Sequence, residues 1–350
     1  MVKLFFLLSG ENETLPAAEL LAILEAESIA FEVKEKLDQV VRLDAAQNSI
    51  RAVHRRSAYT RISALELFTC EAQETEIMKT ADSANFKSVL SEGESFAVRI
   101  RRVKEYAENV GTVALEGKLG KHILHNTVKT KVNLKTPDKT FFGVLTNDRL
   151  VFGVKLTEIE PKTFSERRPR KKPFFHPSAM PSKLARCMVN LARAKAGELV
   201  LDPFCGTGSV MVEAALVGCR ILGFDVQRRM AVGCRKNLKH FSLEPEGLVI
   251  ADARRLPLTR IDHLVTDPPY GRSATTLKST TKQIVEGVLG SARSLLGEGQ
   301  RICIASPKTL NIARIGAELG YKHCESHFAY VHRTLTREIA VFEKASGVTQ

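Results

Sequence analysis

A short loop in the C-terminal half of the chain contains residues suited to holding an amine. The segment from Thr266 to Gly271 reads TDPPYG and follows an apolar stretch. Its two prolines fix φ and lack N–H donors, so the loop is stiff and its carbonyl oxygens stay available to a ligand. We expect the Asp267 carboxylate and the Pro268 carbonyl to accept hydrogen bonds from a base –NH₂ group, while the Tyr270 ring stacks on that base. The predicted catalytic residues are Asp267, Pro268, Pro269 and Tyr270.

A second loop, from Asp202 to Gly208, reads DPFCGTG and joins an apolar segment to the start of a predicted helix. Its two glycines let the backbone turn sharply and come close to a ligand. Position 211 is Met, so the G-x-G-x-x-G pattern of dinucleotide-binding loops is incomplete. The Asp202 carboxylate suits a ligand amine or hydroxyl, and its negative charge would repel a pyrophosphate.

Two further carboxylates end the next two predicted strands. Asp225 stands where an acid accepts hydrogen bonds from the ribose hydroxyls of a nucleotide cofactor, and Asp252 is placed to bind an adenine amino group. Together with Asp202 they suit S-adenosylmethionine better than NAD, because that cofactor has a positive amino acid end, a diol and an adenine. The alternative is that each aspartate is only a helix cap or a turn residue. The cofactor-binding residues predicted from this pattern are Asp202, Cys205, Gly206, Gly208, Asp225, Asp252 and Ala253.

The two loops together predict direct methyl transfer to an exocyclic amine of a nucleobase. The amine attacks the methyl group in line, and the proton leaves afterwards, with Asp267 as one route. The enzyme contributes orientation and desolvation, and no covalent intermediate is needed. A base inside a helical stem would first have to be flipped out of the stack.

The elements that position these loops form the C-terminal part of the chain, residues 176–346. Five short apolar segments alternate with helical patterns, which is typical of a doubly wound parallel sheet. A closing antiparallel hairpin is predicted around His327–Val331 and Arg337–Phe342. The five predicted strands are Leu199–Asp202, Arg220–Asp225, Leu248–Asp252, Ile261–Asp267 and Arg301–Ser306.

The N-terminal part reads as two small α+β units followed by a linker. In residues 1–70, the order of the predicted strands and helices is that of a ferredoxin-like split βαβ unit. Residues 71–160 form the second unit, in which the lysine-rich stretch from Lys118 to Lys135 predicts a helix with one basic face. Residues 161–175 read as a linker, since they contain three prolines and six Lys or Arg residues against one Glu.

The charge balance favours a polyanionic partner. Lys and Arg total 52 against 39 Asp and Glu, for a net charge of +13. Basic clusters neutralise phosphates and release counterions, so we expect an RNA-binding surface. The predicted phosphate contacts are Arg99, Arg101, Arg102, Lys118, Lys121, Lys129, Lys131, Arg167, Arg168, Arg170, Lys171 and Lys172.

Cysteine usage and hydropathy exclude several classes of protein. The seven cysteines include no C-x-x-C pair, which argues against a disulfide framework and a structural zinc site. The group of His323, Cys324 and His327 lacks the ligand number and spacing of a metal site, and we expect a packed hairpin there. No apolar run approaches the ~20 residues that span a membrane, and the apolar N-terminus reads as a strand rather than a signal peptide. We expect a cytoplasmic protein.

The motifs resemble those of a known family. The DPFCGTG and DPPYG loops are similar to the cofactor and catalytic loops of Rossmann-like amino-methyltransferases. The segment around His176 and Pro177 resembles the one that helps close the cofactor pocket in that family, which adds both residues to the predicted cofactor site. The segment VNLKTPD at 132–138 resembles part of a THUMP RNA-binding domain. Most of the chain is similar to the archaeal and eukaryotic THUMP-containing tRNA guanosine-10 N2-methyltransferases.

This resemblance implies a substrate and a possible partner. It implies tRNA as the substrate, with the exocyclic N2 amine of a guanosine, at position 10, as the methyl acceptor. Some family members work with a small zinc-binding activator subunit that adds a strand to the methyltransferase sheet. The third predicted strand, Gly247–Ala251, is short and apolar and is expected at a sheet edge, which suits such strand addition.

Other functions remain open on the sequence. A DNA amino-methyltransferase would share the DPPY loop, but only ~80 residues follow Tyr270, which leaves little room for a base-reading region there. A relative with the same parts could instead methylate another guanine of tRNA or rRNA. A non-catalytic RNA-binding relic is the third reading, and the complete set of four aspartates argues against such decay.

Overall fold

In the computed structural model of the protein, the described residues are 1–160, 162–269, 279–333 and 335–345. The chain forms two compact units. The first comprises Met1–Ala17, Ser28–His54 and Thr60–Glu160, and the second comprises Ala18–Glu27, Arg55–Tyr59 and Pro161–Gln350. Among the described residues, no helix combines the length and the apolar character needed to cross a membrane.

The first unit is built on one eight-stranded sheet. Its strands follow the order β2-β3-β1-β4-β8-β7-β5-β6, and all neighbours are antiparallel except the two pairs that involve β5. Pairing of β4 with β8 joins the strands of the two predicted N-terminal segments in this single sheet. The strands are β1 (Val2–Leu8), β2 (Phe31–Leu37), β3 (Val40–Ala45), β4 (Thr60–Glu71), β5 (Ser95–Arg102), β6 (Lys131–Val132), β7 (Lys139–Thr146) and β8 (Arg149–Glu158).

Four helices accompany these strands along the N-terminal part of the chain: α1 (Leu15–Ala26), α2 (Ser49–Arg56), α3 (Glu74–Asp82) and α4 (Thr112–His125). Helix α4 buries Leu115, Leu119 and Ile123, which lie on one face at helical spacing. Their burial is part of a core that also contains three phenylalanines in edge-to-face contact, Phe86, Phe96 and Phe141.

The predicted helix over 118–135 is wrong in its extent. Helix α4 begins six residues earlier, at Thr112, and ends at His125, where the Asn126 side chain donates to the His122 carbonyl. Lys129 has a left-handed φ of 49°, which a helix cannot continue through. The lysines that follow belong to β6 and its flanking turns, so the basic residues do not share one helical face.

The second unit is built on a seven-stranded sheet in the order β11-β10-β9-β12-β13-β15-β14. The first five strands in this order are parallel, while β15 runs antiparallel to both β13 and β14. The predicted mostly parallel sheet with a closing hairpin is therefore confirmed. The strands are β9 (Leu199–Asp202), β10 (Arg220–Phe224), β11 (Gly247–Val249), β12 (His263–Thr266), β13 (Arg301–Pro307), β14 (Tyr321–His332) and β15 (Leu335–Lys344).

Helices α7, α8 and α9 connect β9 to β10, β10 to β11 and β12 to β13, while β11 and β12 are joined by a segment without a helix. The apolar side chains of β9, β10, β12 and β13 are almost fully buried, and the cluster they form with α9 is the core of this unit. The helices are α5 (Lys162–Ser165), α6 (Ser182–Leu191), α7 (Ser209–Leu216), α8 (Arg228–His240), α9 (Thr281–Arg293) and α10 (Ile312–Glu318).

The strand order reverses between β9 and β12, because the chain builds β9, β10 and β11 outward and then returns to the other side of β9. At such a switch point the loops after neighbouring strands separate and leave a crevice at the carboxyl ends of the strands. The loops that begin at Asp202 and Asp267 follow these two strands, so both open into this crevice.

Candidate active site

A cavity of about 730 Å³ lies at the carboxyl ends of the parallel strands in the second unit. The cofactor loop and the catalytic loop both contribute to its wall, as do the segment before α6 and the hairpin of β14 and β15. The predicted site residues that line it are His176, Pro177, Gly206, Asp225, Asp252, Ala253, Asp267, Pro268 and Pro269.

Glycine is required twice in the turn between β9 and α7. Gly206 and Gly208 have φ values of 50° and 80°, in the left-handed region that residues with a Cβ rarely adopt. A Cβ added at Gly208 would lie 2.6 Å from the Sγ atom of Cys234. The Gly206 N–H donates to Oδ2 of Asp225 at 3.0 Å, so this turn is tied to the end of the neighbouring strand β10.

Asp202 lies behind the cavity wall rather than on it. Its Oδ1 atom accepts from the Thr266 hydroxyl at 2.7 Å and from the Phe204 N–H at 3.2 Å. Burial, together with the nearby carboxylates of Asp225 and Asp267, raises the pKa of this carboxyl to about 7. Asp202, Cys205 and Gly208 are not among the described residues that line the cavity, so their predicted contact with a cofactor stays a prediction. They shape the loop from behind.

Asp225 and Asp252 do face the cavity, in different electrostatic settings. Both oxygens of Asp225 accept backbone N–H groups, from Gly206 and from Gln227, and burial raises its pKa. Asp252 accepts hydrogen bonds from its near neighbour Arg254, whose Nε lies 3.0 Å from each carboxylate oxygen. This hydrogen-bonded arginine lowers the pKa of Asp252.

The start of the catalytic loop is in the cavity wall beside these carboxylates. Asp267, Pro268 and Pro269 all line it, directly after β12. Nη2 of Arg337 lies 3.0 Å from Oδ2 of Asp267. Tyr270, the predicted stacking residue, lies outside the described residues, so its prediction stays untested.

The segment that carries His176 is fixed to the rest of the second unit by Asn237, a fully buried residue of α8. The Asn237 side chain accepts the Phe174 N–H at 2.8 Å and donates to the Phe174 carbonyl at 2.9 Å. It also donates to the Thr207 carbonyl at 2.8 Å, inside the cofactor loop. One amide thus holds two walls of the cavity, and no motif in the sequence indicates this role.

Two of the basic residues predicted to contact phosphate are engaged inside the second unit. Arg167 pairs with the fully buried Glu213 at 2.7 Å. Lys172 is itself buried, with its Nζ atom 3.3 Å from the Ser209 hydroxyl, and burial lowers its pKa. We therefore correct the predicted phosphate contacts at these two positions, because neither cation is placed to meet an external phosphate.

The other predicted phosphate contacts differ in how far they are exposed. Arg99 and Arg102 are half-buried and donate to the backbone carbonyls of Leu134 and Val110. Lys118 and Lys129 are exposed but pair with glutamates of the first unit. The exposed members of the predicted set are Arg101, Lys118, Lys121, Lys129, Lys131, Arg168, Arg170 and Lys171.

Across the part of the chain that the structure describes, no group of three or more His, Cys, Asp or Glu residues is arranged to hold a metal ion. His323 and His327 hydrogen bond within the hairpin, to Ser326 and Glu325 respectively. The Cys324 side chain is exposed on β14.

The fold and the site together define the class of protein. The second unit has the features of a Rossmann-like methyltransferase. These are a mostly parallel sheet with a closing hairpin, a glycine turn after β9 and carboxylates around one cavity. A family model described as "RMKL-like, methyltransferase domain" matches residues 169–337, which lie in the second unit. A second model, described as "DNA methylase", matches residues 41–232 and ends before the catalytic loop.

Relatives along the whole chain identify the family. The chain is 37% identical to a tRNA (guanine(10)-N2)-dimethyltransferase of Methanothermobacter thermautotrophicus, over 98% of this chain and 100% of that protein. It is 30% identical to the enzyme of the same name from Methanocaldococcus jannaschii, over 97% and 99% of the two chains. The protein belongs to this family of methyltransferases.

A solved structure of similar fold supports the architecture. A putative methyltransferase complexed with SAH, SMU.472, superposes with a TM-score of 0.56 and covers 99% of each chain. At 14% sequence identity, the similarity concerns the fold alone.

Proposed function

We propose that the protein transfers methyl groups from S-adenosylmethionine to the exocyclic N2 amine of a guanosine in tRNA, at position 10. The observation that carries the proposal is that Asp267, Pro268 and Pro269 line the same cavity as Asp225 and Asp252. The residues that would bind the cofactor and the residues that would hold the amine therefore line one cavity, as in-line transfer requires. The full-length relatives supply the choice of tRNA and of guanosine 10.

The residues around the cavity fit S-adenosylmethionine. Asp225 would accept the ribose hydroxyls, and Asp252 would accept the adenine amino group once Arg254 shares or releases it. The turn at Gly206 lets the backbone approach the ligand without a Cβ in the way. The bound cofactor would supply an activated methyl group, and the cavity volume of about 730 Å³ accommodates it together with a base.

The protein's own part in the reaction is to hold the amine. The Asp267 carboxylate and the Pro268 carbonyl accept the two N–H bonds of the guanine amine, which turns the nitrogen lone pair toward the methyl group. The amine nitrogen gains the methyl group and then loses a proton. Leu184 and Ile284 add apolar surface to the wall of this cavity.

Once the target guanine has left the RNA stem, an aromatic side chain is needed to stack on it. Tyr270 is our first assignment for stacking on it, from the motif alone. Tyr330 of β14 is a second aromatic, 74% exposed at the rim of the cavity, and it would stack on the target or on a nucleotide beside it. Stacking of this kind holds an unpaired base open while the amine reacts.

The N-terminal segments serve RNA binding in this proposal. We assign residues 1–70 to a ferredoxin-like unit, 71–160 to a THUMP domain, 161–175 to a basic linker and 176–346 to the methyltransferase domain. The exposed cations Arg101, Lys121 and Lys131 of the first unit, with Arg168 and Arg170 of the linker, are the candidate phosphate contacts.

The test is methyl transfer from labelled S-adenosylmethionine to unmodified tRNA and to DNA, with nuclease digestion of the products. Label in N2-methylated guanosine, absent with Asp267→Ala, is the expected result. Label confined to methylated DNA bases would overturn the choice of substrate. A protein that binds the cofactor but labels neither nucleic acid, alone or with an activator subunit, would contradict the proposal.

The match to the DNA methylase model over residues 41–232 makes DNA the second candidate substrate. It does not reach Asp267, however, and therefore says nothing of the loop that holds the amine. Identity of 37% to a tRNA enzyme along the whole chain is the stronger evidence. The DNA arm of the assay decides between the two substrates.

A small zinc-binding activator subunit is the proposed partner, docked on β11. This strand is at the edge of the described seven-stranded sheet, and Val249 and Ile250 at its end are 37% and 54% exposed. An exposed apolar edge can accept a further strand from a partner.

Co-expression with such a subunit followed by size-exclusion chromatography tests this partner. We expect one joint peak that Ile250→Lys splits in two, because a charge at the edge disfavours strand addition. Two separate peaks with the unmodified chain at micromolar concentration would count against the partner.

A further inference from the structure

The Asp267 carboxylate has a charged neighbour that the catalytic loop itself does not contain. Arg337 lies on β15, and its Nη2 atom is 3.0 Å from Oδ2 of Asp267. The two side chains are only 11% and 16% exposed, and both line the cavity. A largely buried arginine in ion-pair contact with the amine acceptor must affect what that acceptor can do.

The sheet explains how a residue from the end of the chain reaches this point. Strand β13 lies between β12 and β15, and its antiparallel pairing with β15 sets Arg337 opposite Pro307. The beginning of β15 therefore lies at the carboxyl end of β12, which is where Asp267 follows. The position of Arg337 depends on the direction of the hairpin.

We propose that Arg337 is a positioning residue that keeps the Asp267 carboxylate ionised and oriented to accept the N–H of the target amine. The inference rests on the proposed function, since it assigns the amine to Asp267. It adds a residue to the site that neither loop motif includes.

The charges around Asp267 give this ion pair its importance. Asp202, at the end of β9, is close enough to Asp267 and to Asp225 for their negative charges to raise its pKa. Other charged or titratable groups among the described residues of the cavity wall are Asp252, Arg254, His176, Tyr330 and His332. Among the described residues, the guanidinium in contact with Asp267 is that of Arg337. Its positive charge favours the ionised form of Asp267, and a protonated carboxyl would donate rather than accept a hydrogen bond.

The same ion pair limits Asp267 as a base. A carboxylate held by a guanidinium binds a proton weakly, so the proton that the methylated amine loses passes on to water. Asp267 then acts by accepting a hydrogen bond and fixing the nitrogen, and it does not store the proton. Arg337 does not need to touch the substrate for this role.

The test compares Arg337→Gln and Arg337→Lys with the unmodified enzyme and with a control, Arg314→Gln, which removes an exposed ion pair to Glu318 on α10. We expect Arg337→Gln to lower kcat by about 100-fold, with the KM for the cofactor nearly unchanged. Its acid limb in the pH–rate profile should move up by about one pH unit. Arg337→Lys should keep the acid limb in place and recover part of kcat, because it retains the charge and loses the planar fork.

A second readout does not depend on activity. In protein labelled with ¹³C at the aspartate carboxyls, the Asp267 signal is identified by its loss in Asp267→Asn and is followed against pH. The pKa of Asp267 should rise in Arg337→Gln and stay in place in Arg337→Lys and Arg314→Gln. If Arg337→Gln does not fold, Arg337→Met, which also removes the charge, replaces it in both readouts with the same expected rise in the pKa of Asp267.

The outcomes separate the two proposals. An Arg337→Gln enzyme with kcat within twofold of the original, or an Asp267 titration that does not move, overturns the role of Arg337. An unmodified enzyme that transfers no methyl to tRNA overturns the proposed function, and the carboxyl titration then still decides whether Arg337 keeps Asp267 ionised.

Discussion

Three carboxylates at neighbouring strand ends have different protonation behaviour because their surroundings differ. Asp202 is buried and has its pKa raised to about 7, Asp225 is raised by burial, and Asp252 is lowered by Arg254. The sequence presents them as equivalent, since each ends an apolar strand. What separates them is burial and the position of an arginine, which spacing along the chain does not reveal.

Asp202 leads to a prediction about stability and pH. Its pKa is higher in the folded protein than the ordinary value near 3.8, so folding favours the protonated form of Asp202. The folded protein is therefore most stable at low pH with respect to this group, and it loses that stability as pH rises through about 7. Asp202→Asn removes the ionised form. We expect the variant to be more stable than the original protein at pH 8, by up to about 4 kcal/mol, with the difference shrinking toward pH 4.

Urea denaturation at pH 4, 6 and 8 measures this difference, with Asp82→Asn at an exposed position as the control. The control should show little change at any pH. A loss of stability in Asp202→Asn that is the same at all three pH values would contradict the raised pKa.

The residues that the sequence missed share one property: their partners are distant in the chain. Asn237 fixes Phe174, and Arg337 pairs with Asp267. The same limit explains the corrections at Arg167 and Lys172, because a run of basic residues does not show which of them is paired. Residues inside one loop, such as Asp267, Pro268 and Pro269, line the cavity together because they are consecutive in the chain.

Elements were predictable where one pattern dominates. Leu199–Asp202 is found as predicted, and the other parallel strands differ by up to three residues at their ends, because buried strands read as apolar runs bounded by turn residues. The helix predicted over 118–135 was wrong because its lysines suggested one continuous surface, whereas Asn126 and Lys129 end it. Side-chain capping and a left-handed φ are local features of the backbone, and the periodicity of apolar and basic residues does not reveal them.

The hairpin of β14 and β15 contributes to the site as well as closing the sheet. Tyr330 lies at the rim of the cavity and Arg337 lies in its wall, on the two strands of the same hairpin. The sequence indicated a closing hairpin and gave no sign of these contributions, since they depend on which end of the sheet the turn reaches.

Tyr330 leads to a prediction about substrate binding. If its ring stacks on an unpaired base, Tyr330→Ala should raise the KM for tRNA by about tenfold, within the range that one base–aromatic stack contributes. The KM for S-adenosylmethionine should not change. Tyr330→Phe retains the ring and serves as the matched control, so it should behave like the original enzyme.

Steady-state kinetics with tRNA as the varied substrate measures the effect. Equal KM values for the alanine and phenylalanine variants would show that the exposed ring does not stack on the RNA. A lower kcat with unchanged KM in both variants would place Tyr330 in the support of the hairpin instead.

The whole chain combines a unit that holds the cavity for methyl transfer with a unit that carries several exposed cations. The second unit holds every described residue that we assign to the cofactor and the amine, and the first unit carries Arg101, Lys121 and Lys131 on an eight-stranded sheet. Net charge and the resemblance of 132–138 indicated RNA, while the cavity indicates an amine acceptor. The position of the acceptor within the tRNA is a property of the whole complex, and the sequence supplies it only through the family.

Nucleoside mass spectrometry of a tRNA transcript, after incubation with the enzyme and S-adenosylmethionine, decides whether the protein methylates guanosine 10. Two transcripts are compared, one with guanosine at position 10 and one with adenosine there, each with the original enzyme and with Asp267→Ala. We expect N2-methylated guanosine only from the first transcript with the original enzyme. N2-methylated guanosine from the adenosine-10 transcript, or methylated bases in DNA alone, would contradict this expectation.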